Sequence, residues 1–244
     1  MDIAKFLSLI NSSALYFARL DQLGDPFEGS FAQANLAFDD LEFEDLPKEF
    51  VDGLKDDELG KRKWFELMRD SNKRIRSFAK DARIAAFANC WHVQEYESAA
   101  MWSQYIGDRD GLAVKTTYAR LINALEGVQD KEIFVGMINY LDYRKEAIPS
   151  GNLLNSLMCK RLSFEHEREL RCLVFDGKAW IDPESCIEGK LGLHIPVSLD
   201  VLIDEIYVSP DSADWFLEIV ESVSTKYGLA AKVIRSDLAS KPLF

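Results

Sequence analysis

The stretch that most constrains this chain is Lys160–Arg171, KRLSFEHERELR, which sets seven formal charges and one histidine between apolar runs at Leu153–Met158 and Leu173–Phe175. Glu167, Glu169 and Arg171 are spaced two apart and lead into Cys172-Leu173-Val174-Phe175, which reads as a buried strand. If the strand begins near Glu167, all three charged side chains share one face, because strand side chains alternate. Charges at the entrance to a core are costly, so they must pair with one another or serve a ligand. The competing reading is helical: Arg161 with Glu165, and Glu167 with Arg171, stand four apart and would make an ordinary solvated face. Local pattern leaves both open.

A length of 244 residues with 48% hydrophobic content suffices for one large core, so a single domain over residues 1–244 is expected. The formal net charge of −12 disfavours extended nucleic-acid binding and a membrane surface, since both are polyanionic. A local basic pocket could still hold one nucleotide. Cys90, Cys159, Cys172 and Cys186 form no CxxC pair and fit free thiols in a reducing, cytoplasmic setting. The start does not read as a signal peptide, because Asp2 is acidic and the apolar run Phe6–Ile10 is cut by Asn11-Ser12-Ser13.

Periodicity predicts a helix at Ala4–Ile10, a strand at Leu15–Arg19, and a turn forced by Gly24-Asp25-Pro26. A helical insertion over about residues 30–83 follows, with an acidic patch at Asp39–Asp45, a breaker at Pro47, and a long amphipathic helix from about Glu58. Strands are expected at Ile84–Trp91, Gly111–Thr117, Ile133–Tyr140, Leu170–Phe175, Leu193–Val197, Glu205–Val208 and Ala231–Ile234. Helices are expected at Glu97–Ile106, Tyr118–Leu125, Gly151–Arg161 and Trp215–Tyr227. This irregular alternation predicts an α+β domain with one mixed sheet flanked by helices.

Two further segments are candidates for chemistry. Asp25-Pro26-Phe27-Glu28-Gly29 follows the first strand and is either turn and cap chemistry or the mouth of a cleft. Arg19, at the end of that strand, could hold an anion through its planar fork. On the helix around Glu97–Tyr105, Met101 and Trp102 should bury against the sheet, or else Trp102 and Tyr105 wall a pocket for a planar ring. His92, His166 and His194 lack the spacing of metal ligands, so no structural metal is expected. The chain has no GxGxxG, Walker loop or GxSxG elbow.

Taken together, Leu15-Tyr16-Phe17 with Arg19, Asp25–Gly29, Glu97-Ser98 with Met101-Trp102 and Tyr105, and Lys160, Phe164, Glu167, Glu169 and Arg171 resemble the bacterial family called domain of unknown function 2971. The resemblance covers most of residues 6–240 and implies that the charged segments form one site. The expected site has Glu167, Glu169 and Arg171 as catalytic residues, and Arg19, Asp25, Glu28, Trp102, Tyr105 and Lys160 as substrate-binding residues.

Three functions are weighed for it. The first is an ADP-ribosyltransferase-like enzyme of a defence or toxin system, with NAD as cofactor and Arg19, Tyr105 and Glu167 or Glu169 in the roles of that superfamily. Breaking a C1–N bond develops oxocarbenium character that a fixed carboxylate stabilises. The second is a metal-dependent phosphodiesterase or nuclease, with Asp25, Glu28, Glu167 and Glu169 around Mg²⁺. The third is a non-catalytic sensor or partner-binding module whose ExExR group is a salt-bridge lattice. A small-molecule nucleotide or a protein target is the expected partner.

Overall fold

Capping and periodicity decide most of the local structure in the computed structural model, which describes residues 1–37, 40–107, 109–129, 131–149, 151–152, 154–177 and 191–242. Asp2 accepts from the Lys5 amide and starts α1 (Ile3–Ser12), which leads through a left-handed Ser13 into β1 (Ala14–Arg19). The helices α2 (Gln33–Ala37), α3 (Lys48–Gly53) and α4 (Glu58–Ala85) occupy the expected insertion, with Asp57 capping α4 through the Gly60 amide. Next come β2 (Ala86–His92), α5 (Ala99–Tyr105), β3 (Leu112–Lys115), α6 (Tyr118–Leu125), β4 (Ile133–Met137) and β5 (Asn139–Leu141). The chain continues through α7 (Leu154–Leu157), β6 (Cys159–Arg161), β7 (Glu169–Phe175), β8 (Gly192–Pro196), α8 (Leu199–Leu202), β9 (Glu205–Val208), α9 (Asp214–Lys226) and β10 (Lys232–Arg235).

The fold is α+β, but the strands make three sheets and not one mixed sheet. An antiparallel sheet has the order β4-β7-β2-β1-β8, with Ala18 opposite Ala88 and Arg19 opposite Phe87. A second has the order β10-β9-β3, and a third pairs β5 with β6 in parallel. One reason for the division is visible at Ile138. Its amide donates to the Glu169 carbonyl, while the next amide, Asn139, donates to the Met158 carbonyl. The expected strand over 133–140 therefore breaks in two and changes partner. The expected helix over 151–161 shrinks to α7, because Cys159–Arg161 pairs with β5 instead.

The chain forms two compact units. The first comprises Met1–Phe17, His92–Ile133 and Leu193–Phe244. In it β9 and β10 run parallel, Ile206 opposite Val233, and α9 supplies the crossover that a parallel pair requires. Leu112, Leu121, Leu202, Ile206, Val208, Phe216 and Val220 are buried in this unit.

The second unit comprises Ala18–Trp91 and Phe134–Gly192. Leu20, Ala82, Ala86, Ala88, Leu157 and Leu173 form one of its cores. The small alanines leave room for the larger Leu20, Leu157 and Leu173, and Gly29 (φ +70°) lets its turn sit close to its neighbours. A Cβ there would stand 2.7 Å from Arg83 Cγ and 3.0 Å from Leu20 Cδ2. Buried Asn35 pins α2 by donating to the Ile148 carbonyl (2.7 Å) and accepting from the Ile148 and Ala32 amides. No helix among the described residues is long and apolar enough to cross a membrane.

Candidate functional site

Of the two readings open from its pattern, the charged segment follows the strand from Glu169 onward and not the helix, and Glu167 lies outside the strand. Leu162–Glu167 is a 3₁₀ turn, Arg168 takes a left-handed conformation (φ 41°), and β7 begins only at Glu169. Glu169 and Arg171 then share a face of β7 by alternation, and the turn before Arg168 brings Glu167 to the same place. All of this lies in the second unit.

Lys160, on β6, is the centre of the arrangement. Its Nζ lies 2.5 Å from Glu167 Oε2, 3.1 Å from Glu28 Oε1 and 3.4 Å from Glu169 Oε2. The Glu28 contact is an ion pair without hydrogen-bond alignment. Arg171 is completely buried and uses all three nitrogens: Nε donates to Glu169 Oε1 (2.6 Å), Nη2 to Glu28 Oε2 (3.0 Å) and Nη1 to the Leu157 carbonyl (2.7 Å). Glu28 and Glu169 each bridge both cations, so the four side chains form a closed ring of charge. The Glu169 amide donates to the Tyr140 hydroxyl (2.8 Å).

Asp25 forms the adjoining pair. Its carboxylate takes a bidentate grip from Arg161, Nη2 to Oδ1 at 2.7 Å and Nε to Oδ2 at 3.1 Å, and also accepts the Phe27 amide. The Arg161 guanidinium lies 4.3 Å from the Phe27 ring centre and 5.4 Å from that of Phe164, while Lys160 lies 4.9 Å from Phe164. The turn residues thus act both as turn chemistry and as members of the charged cluster.

Burial and charge compete at each ionisable group. At Lys160 burial works against the ammonium, but Glu28, Glu167 and Glu169 overcome it and hold the pKa above the ordinary 10.5. At Glu169 burial favours the neutral acid, and Arg171 outweighs it, so the carboxyl titrates below 4.5. Burial alone pushes the nearby Cys159 thiol up to about 11, with Arg171 opposing, and leaves it a small apolar group at neutral pH.

Stability is therefore expected to be level across neutral pH. Below 4.5 the unfolded chain takes up a proton that folded Glu169 refuses, so acid removes stability as pH falls through the folded value. Above 10.5 the unfolded chain releases a proton that folded Lys160 keeps, so alkali removes stability as pH rises through its folded value. Urea midpoints measured from about pH 3 to about pH 11 check this; a slope confined to about pH 6–8 would point to histidine instead.

Of the residues expected to make one site, Asp25, Glu28, Lys160, Glu167, Glu169 and Arg171 are placed in this cluster. Arg19, also buried in the second unit, bonds Asp21 through Nε (2.6 Å) and Nη2 (3.1 Å). Trp102 and Tyr105 belong to the first unit, on α5. No residue of α5 is fully buried, so Met101 and Trp102 do not form core as expected. The Trp102 indole spends its N–H on Glu97 Oε2 (3.0 Å), and Tyr105 is 57% exposed. The residues missed from the sequence are Arg161 and Tyr140. Arg161 had one available signal, its place beside Lys160 at the start of the charged segment.

Among the described residues no group of three or more His, Cys, Asp or Glu side chains is arranged to hold a metal ion. Glu28, Glu167 and Glu169 do converge, but on the Lys160 ammonium, which stands where a cation ligand set would have its centre. Comparison with protein-family models, curated proteins and solved structures gave no match.

Proposed function

We propose that this chain is a non-catalytic sensor or partner-binding module in which the ExExR group is a structural lattice. The observation that carries the reading is the saturation of Arg171: it is wholly buried, and each of its nitrogens is committed to a group of the protein itself. A catalytic carboxylate must face the reacting atoms. Glu28 and Glu169 instead face Lys160 and Arg171, and both are at least nine-tenths buried. A partner surface is available elsewhere in the same unit. β4 is an outer strand of its sheet in the described residues and exposes Phe134 and Met137, the features used when a partner adds a strand.

Glu167→Gln and Glu169→Gln test this reading against NAD-dependent transfer. A structural lattice requires that both lower the thermal midpoint, because a carboxylate partner is lost, and that the wild type releases no nicotinamide. Nicotinamide release by the wild type, abolished in either variant at an unchanged midpoint, would overturn it in favour of ADP-ribosyl transfer. Magnesium-dependent cleavage of a nucleotide by the wild type would overturn it in favour of the phosphodiesterase.

A further inference from the structure

A second feature lies wholly in the first unit. Ala99, Trp102 and Ser103 of α5, Gly107 after it, Pro210 and Asp211 after β9, and Leu238 line a cleft of about 280 Å³. A carboxylate links two segments that line the cleft. Glu97 accepts the Trp102 indole N–H through Oε2 (3.0 Å) and the Asp237 amide through Oε1 (2.9 Å), and so ties α5 to the segment that carries Leu238. The indole is thereby fixed before any ligand arrives, which removes part of the ordering cost of binding. A bond at the indole edge leaves its π faces to other contacts.

Size and charge narrow the occupant. Pockets that enclose a drug-sized ligand run from roughly 300 Å³ upward. This cleft stands at that lower limit and suits a single head group, not a whole dinucleotide. Among the described residues its lining offers an indole, a carboxylate, the Ser103 hydroxyl and apolar carbon, and no arginine or lysine. Arg235 of the same unit is tied to Asp214 (2.7 Å). An indole attracts cations through its quadrupole, and a carboxylate beside it adds direct charge attraction. An anionic group would meet the Asp211 carboxylate and, among the described lining residues, no cationic side chain.

We propose that this cleft is a binding site for the head group of a small organic cation, with Trp102 as the aromatic wall and Asp211 as the counter-charge. The site is separate from the charged cluster and does not depend on how that cluster functions.

Choline and its neutral carbon isostere, 3,3-dimethylbutan-1-ol, separate charge recognition from simple apolar filling. Binding of each to the full chain is followed by ligand-detected NMR. Choline is expected to bind about tenfold more tightly than the isostere, as a cation–π contact with a carboxylate implies. Asp211→Asn, an exposed and isosteric change, is expected to weaken choline about fivefold and leave the isostere unaffected. Trp102→Leu removes the aromatic wall and is expected to abolish the preference for choline. The ring-quaternised cation 1-methylnicotinamide and neutral nicotinamide make the second arm: preference for the charged ring identifies a planar cation, and preference for choline a tetrahedral one. Equal binding of charged and neutral probes, no binding of any cation, or an Asp211→Asn variant that binds like the wild type would each overturn the proposal.

Discussion

Replacing Arg171 by Met is expected to lower the stability of the fold by about 3–5 kcal/mol, the range for removing one partner of a buried ion pair. The loss arises mostly from what remains. Glu28 and Glu169 stay among apolar walls with Lys160 as their shared cation, and the Leu157 carbonyl loses its donor. Chemical denaturation of the variant measures this directly. The same argument predicts a recovery. Adding Glu28→Met and Glu169→Leu to Arg171→Met leaves Lys160 paired with Glu167, and apolar side chains of similar volume replace the Glu28–Arg171–Glu169 triad. Such replacements of a whole buried charge set are commonly neutral or stabilising. The triple variant should therefore be more stable than the single one, with a strongly non-additive cycle. A single variant within about 0.5 kcal/mol of wild type would mean that the lattice does not support the fold.

What was legible in the sequence follows the range over which each cause acts. α1, α4, α6 and α9 were readable because capping and a 3.6-residue period are local. The division into three sheets was not, since it depends on Ile138 and Asn139 choosing different partners, and pairing is a long-range event. For the charged segment, the cost of burying Glu169 and Arg171 was readable from the adjoining run of apolar residues, and so was the demand that they pair. Their partners were not. Asp25 meets Arg161 across 136 residues of chain, and Glu28 meets Arg171 across 143. Only the shared signature of the segments hinted at convergence. Trp102 was misjudged for a physical reason: its size argued for the core, but its N–H required an acceptor, and Glu97 supplied one at the edge of a cleft.

Lys160→Met should be as damaging at neutral pH as Arg171→Met, and its pH dependence should be distinctive. The ammonium is the group on which Glu28, Glu167 and Glu169 converge. Without it, Glu28 and Glu169 keep Arg171 as their ion-pair partner while Glu167 loses the ammonium, in a site nearly closed to water. Losing the ammonium removes one of the charges that hold the Glu169 carboxyl down, so it titrates higher in the folded variant than in folded wild type, with Arg171 still opposing burial. A folded value above that of wild type means that the deficit of the variant is largest where the carboxylate is charged and closes as acid protonates it. The difference between the two proteins is therefore expected to be about 3–5 kcal/mol at pH 7 and to shrink steadily towards about pH 4. Urea denaturation of both proteins along that pH series reads the difference. A gap that stays constant with pH would mean that Lys160 contributes packing against Phe164 and not charge.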